Sequence, residues 1–157
     1  MASLFRRILV PHDFSDHANR ALRVAAELAS GRGGRLIVLH AIVPFQPVTS
    51  FPPTEQLAWI PPADLIAQDR KRLAALVART VKGRAAPKVE CRVEIGDPYQ
   101  RIMEAARRAD AIVMATMGRT GLPHLLIGSV AEKVIRHSPV PVLTIRAKTT
   151  ARRSKGR

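Results

Sequence analysis

A run of glycines in the last third of the chain is suited to holding an anion. Residues 115–129 read ATMGRTGLPHLLIGS, with Gly118, Gly121 and the pair Gly128-Ser129. An apolar run, residues 111–115, precedes them, and a segment with helical spacing, residues 130–137, follows. Glycine lets a backbone approach a phosphate with no Cβ in the way and tolerates positive φ. The first N–H groups of the following helix lack internal partners, and the macrodipole adds to their pull on an anion. Ser129 offers a cap to that helix and a hydroxyl to a phosphate. Arg119 reads equally as a phosphate partner or a solvated loop cation. Met117 and Val130 flank the glycines and complete the candidate cradle, and Gly121 reads as a turn residue within the loop.

A strand, a turn and a helix must frame such a loop, and the chain repeats that unit. Residues 7–11 form a short apolar strand, and residues 16–30 a helix with Ala18, Leu22, Ala25, Ala26 and Ala29 on one face. Ser15 is its expected N-cap, and the glycines at 31–34 end it. A second apolar strand starts at Leu36, and a Pro-rich loop runs from Pro44 to Pro62. A helix is then expected from Pro62 or Ala63 to about Val81, with Leu65, Arg72, Leu73, Leu76 and Val77 along its buried stripe. Residues 89–95 alternate, with Val89, Cys91, Val93 and Ile95 on one face. Pro98 opens a helix carrying Ile102, Ala105 and Ala106 and ending near Arg108. The 111–115 strand, the glycine loop, a helix to His137 and a strand over Val140 to Ile145 close the series.

Strand–helix alternation predicts an α/β fold with one doubly wound, five-stranded parallel sheet. Strands apolar throughout belong inside it, which suits the first, second and fourth. The alternating third strand and the fifth, which contains Pro141, belong at its edges. The resulting order is 3-2-1-4-5, with the connections reversing between strands 1 and 4. Ligands bind at such a switch point, beyond the carboxyl ends of the strands. Asp13 lies there after strand 1, as an acceptor for a ligand or as a cap for the helix that follows, with Pro11 shaping the turn. His12 reads as a solvated or capping residue, and His40, His124 and His137 show no spacing that suggests a metal site.

The chain of 157 residues suits one domain over 1–147, followed by a basic tail over 148–157 that is expected to be disordered. It carries 26 Lys and Arg against 12 Asp and Glu, a formal charge of +14. No recognition helix or aromatic pattern accompanies that charge, so nucleic-acid binding through the tail is not the favoured reading. No apolar run is long enough for a membrane span. The first residues lack a secretory leader's apolar stretch, and a single cysteine, Cys91, excludes an internal disulfide, so a cytoplasmic location is expected.

Gly118, then nine residues, then Gly128-Ser129 resembles the ATP-loop signature of the universal stress proteins. The signature's first glycine is Ala115 here. The segment 129–143 resembles that family's C-terminal end, and RILVPHDFS at 7–15 its first strand and turn, so the resemblance spans roughly residues 5 to 146. It implies the Rossmann-like adenine nucleotide alpha hydrolase-like fold and the same strand order. It further implies ATP with Mg²⁺ in the strand 1/strand 4 crevice, with Asp13 at the ribose or base and the phosphates on Gly118, Gly128 and Ser129. Ile42 would wall the adenine, because the family recognises the base after strand 2. A homodimer would form by antiparallel pairing of the Val140–Ile145 strand, and an unidentified protein partner would read the nucleotide state.

Binding is expected rather than turnover, with slow ATP hydrolysis at most and no catalytic residue assigned. A pyrophosphatase or adenylating ligase of the same fold needs a glycine-rich loop after strand 1, where this chain has PHDFS. A P-loop sequence is also missing. The remaining alternative is a nucleotide-independent dimeric interaction module whose ATP site has degraded at Ala115.

Overall fold

The computed structural model describes residues 5–30, 33–44, 62–83, 85–117 and 127–146. Residues 118–126, with Gly118, Arg119 and Gly121, lie outside them, as do most of the Pro-rich loop and the basic tail. The elements alternate: β1 (Arg7–Pro11), α1 (Asp16–Ala29), β2 (Arg35–Ile42), α2 (Ala63–Thr80), β3 (Lys88–Ile95), α3 (Pro98–Ala106), β4 (Ala111–Ala115), α4 (Ser129–His137) and β5 (Val142–Ile145). All four strand pairings are parallel, and the order is β3-β2-β1-β4-β5. The polar alternation of β3 and Pro141 before β5 therefore mark the two edges.

Side chains alternate across the sheet and build two cores. On one face Ile8, Val10, Leu36, Val38, Ile42 and Val113 pack against α1 and α2. On the other Leu9, Ile37, Leu39, Ile112 and Met114 pack against α3 and α4. The register sets Leu9 opposite both Ile37 and Ile112, so this second layer is continuous across three strands. Each fully buried aliphatic side chain contributes about 1.5–3 kcal/mol relative to exposure. The alanine face of α1 lets that helix lie close to the sheet, and Ser15 caps it by accepting the Ala18 N–H at 3.1 Å.

Three expectations shift. β5 starts at Val142 rather than Val140, although the Pro141 carbonyl already accepts the Ile112 N–H at 2.9 Å. Arg72 is exposed rather than in the buried stripe of α2, and its guanidinium covers the Phe14 ring at 4.1 Å. Ile95, at the end of an edge strand, is exposed, and only Val93 of its face is fully buried.

Candidate functional site

Parallel strands joined by helices put every strand's carboxyl end and the next helix's N-terminus at the same end of the sheet. Here that geometry makes a cavity of about 400 Å³, a size suited to a small organic ligand. It lies where the connections reverse between β1 and β4. Pro11, Asp13, Met117, Gly128, Ser129 and Val130, drawn from three separate stretches of chain, all line it. Gly118 and Arg119 lie outside the described residues.

Ile42 does not line it. Side chains alternate along β2, and Ile42 faces the α1/α2 core with 7% exposure. Its neighbours Ala41 and Val43 point the other way and form the cavity wall, and Pro98 and Ile102 of α3 contribute to the same apolar lining. The assignment to Ile42 was one residue out of phase. Pro98 was within reach of the sequence, since a helix that follows a parallel strand must begin at the ligand end.

The N-terminus of α4 is the end of the cavity suited to an anion. Of the helices lining the cavity, α1 is capped by Ser15 and α3 by Asp97, whose carboxylate accepts the Gln100 N–H at 3.0 Å. The N-cap of α4 is Gly128, with no side-chain cap. Helix geometry leaves the N–H groups of its first turn without intrahelical partners. Gly128 itself is fixed from below: its N–H donates to the Thr116 carbonyl at 2.6 Å. Thr116, buried at the end of β4, also donates its own N–H to the Ile145 carbonyl at 3.2 Å, so one residue ties α4 and β5 together.

The turn after β1 is built more tightly than its sequence suggests. Asp13 accepts the Ser15 N–H at 3.0 Å, which folds the turn back and points it into α1. Phe14 has φ 65°, a left-handed conformation that costs a bulky residue energy. His12 is only 3% exposed, so of the two roles expected of it the solvated one falls and the capping one fits. Its Nδ1 accepts the Phe14 N–H at 3.1 Å, which leaves the proton on Nε2, 3.2 Å from the Asn19 Oδ1 acceptor. Its carbonyl accepts from His40 Nδ1 at 2.8 Å, and His40 Nε2 lies 3.7 Å from Asp69. The Phe14 ring packs against both imidazoles. Burial pushes the His12 pKa below the ordinary histidine value, outweighing the Asn19 bond and the Asp13 charge, which raise it.

These features define a doubly wound α/β protein with a cavity at the switch point. The universal stress protein family model matches residues 4–146, and the chain belongs to that family. It is 32% identical over 145 residues to a universal stress protein of Thermus aquaticus, covering 91% of this chain and all of the relative. The solved structure of the Methanocaldococcus jannaschii universal stress protein MJ0577 superposes with a TM-score of 0.72 at 24% identity, covering 94% of this chain and 99% of that one. An Archaeoglobus fulgidus universal stress protein solved in complex with dAMP gives a TM-score of 0.60 at 25% identity, over 90% of this chain and 98% of that one. Among the described residues, no helix is long and apolar enough to cross a membrane.

Proposed function

We propose that this protein binds an adenine nucleotide, ATP with Mg²⁺, in the β1/β4 crevice, and that occupancy regulates a protein partner in the cytoplasm. The observation that carries this reading is the cavity's polarity: an apolar wall of Ala41, Val43, Pro98 and Ile102 at one side and the Gly128 end of α4, open to an anion, at the other. A base fits the first and phosphates the second. Asp13 lines the space between as an acceptor for ribose or base. The related chain that holds dAMP supports the same ligand class. Among the described residues, no cluster of three or more His, Cys, Asp or Glu side chains could hold a metal ion. Mg²⁺ would therefore arrive with the triphosphate, held by its oxygens and water.

Calorimetric titration with ATP–Mg²⁺ and with AMP tests the reading. Micromolar ATP binding is the expected result. Binding of AMP alone would restrict the ligand to the adenosine half, with the Ala115 methyl at the cavity wall as the obstruction. No binding of either would overturn the proposal in favour of an interaction module.

The same reading includes a homodimer paired through β5. Among the described residues this strand bonds to β4 alone, and Leu143 is 44% exposed. Because the carbonyls of Pro141 and Ile145 face β4, alternation turns the backbone groups of Val142 and Thr144 to the open edge. Thr144→Pro deletes an outward N–H and leaves the β4 ladder whole. Sedimentation velocity is expected to show a dimer for the wild type and a monomer for this variant, and a wild-type monomer at micromolar concentration refutes the pairing.

A further inference from the structure

We propose that His12 is the positioning residue that aims Asp13 at the ligand, through the acceptor on its Nδ1. This inference rests on the nucleotide reading of the crevice. Asp13 sits between His12 and Phe14, so a bond from the Phe14 N–H to His12 Nδ1 closes a loop with Asp13 at its apex. Losing that bond would remove part of what offsets the strained φ of 65° at Phe14, leaving the ring contacts to His40 and Arg72 to hold the turn. His12 lines the cavity, and three neighbours hold it in place. Asn19 of α1 takes its other nitrogen, His40 of β2 grips its main-chain carbonyl, and the Phe14 ring packs in a T-shaped pair with its imidazole. The cage continues into α2, where Asp69 faces His40 and Arg72 covers Phe14. A residue 3% exposed and this fully committed is a strut, and Asp13 is what it supports.

Two substitutions separate the acceptor from the ring. In His12→Asn the side-chain oxygen occupies the Nδ1 position and keeps an acceptor for the Phe14 N–H. In His12→Gln the polar atoms shift to the Nε2 position, so the Asn19 contact survives and the Phe14 bond is lost. With AMP as probe at pH 7.5, His12→Gln is expected to bind about tenfold more weakly than wild type, and His12→Asn to stay within about threefold. Thermal melts establish that both fold. Equal affinity of His12→Gln and wild type overturns the proposal, as does an equal loss in both variants, which would assign the effect to the ring's bulk. If the wild type itself binds no adenine nucleotide, the nucleotide reading falls first.

A second readout needs no ligand. Protonation puts a hydrogen on Nδ1, which then faces the Phe14 N–H donor to donor. Because burial lowers the folded-state pKa, the unfolded chain takes up this proton first as pH falls. The charged groups around His12 are Asp13 on its own turn, His40 on β2 and Arg72 on α2. Stability is therefore expected to be level above about pH 6.5 and to fall below it. His12→Asn should lose its share of that fall, with His40, Asp69 and Arg72 present in both chains. Identical pH profiles for the two chains would overturn the acceptor role.

Discussion

Gly128→Asp is expected to make the protein slightly more stable and its nucleotide affinity about a hundredfold weaker. The two effects have opposite signs because, on the proposed reading, the residue serves the ligand rather than the fold. Its φ of −72° and ψ of 153° suit any residue, and among the described residues a Cβ there would meet only the Thr116 carbonyl oxygen, at an ordinary 3.5 Å. Aspartate is a favoured N-cap where glycine is a weaker one, which gives a few tenths of a kcal/mol. A carboxylate beside the helix's positive end adds a similar amount. The same carboxylate stands where phosphates would bind. At an effective dielectric constant of about 20 and a separation of about 5 Å, each unit charge on the phosphate is repelled by roughly 3 kcal/mol, or about two decades in Kd. Denaturant melts and calorimetry on one preparation read both effects. Unchanged affinity would place the phosphates elsewhere.

Gly34→Ala is expected to do the reverse, costing roughly 2–3 kcal/mol of stability. A Cβ on Gly34 would lie 2.7 Å from the Ala29 carbonyl oxygen, 2.9 Å from its Cβ and 3.0 Å from its Cα. These atoms belong to the last turn of α1, and Ala29 is 1% exposed, so relief requires moving the helix off the sheet. The eight residues of β2 separate this contact from the crevice by about 25 Å. Nucleotide affinity should therefore change little at temperatures where the variant is folded, while the melting temperature drops by several degrees. Wild-type stability in Gly34→Ala would mean that α1 and the sheet can separate freely at this end.

The contrast between these glycines shows what a sequence discloses. Strand order was legible because burial on both faces leaves an unbroken apolar run, as in Ile8–Val10, while an edge leaves polar alternation or a proline such as Pro141. Ser15 announced α1 because capping is a local interaction. Pro11, Asp13 and Gly128 were legible as site candidates because parallel topology dictates which loops meet. Ile42 was misplaced because an apolar strand buried on both faces carries no mark of which face looks into a cavity. The burial of His12 was hidden for a different reason. Its burial depends on Asn19 and His40, seven and 28 residues away in sequence, and on a backbone angle at Phe14 that no residue type advertises.

Thr116 binds Gly128 through its carbonyl and Ile145 through its N–H, so the proposed ligand end of α4 and the β5 strand hang from the two sides of a single residue's backbone. That joint is entirely main chain. Side-chain replacement at 116 leaves it in place, so the linkage tolerates sequence drift and would escape an alanine scan. A chain that zips onto β5 and a ligand that seats on α4 each act on the same few ångströms of backbone. Whatever free energy one event contributes to the other must then be returned in equal measure.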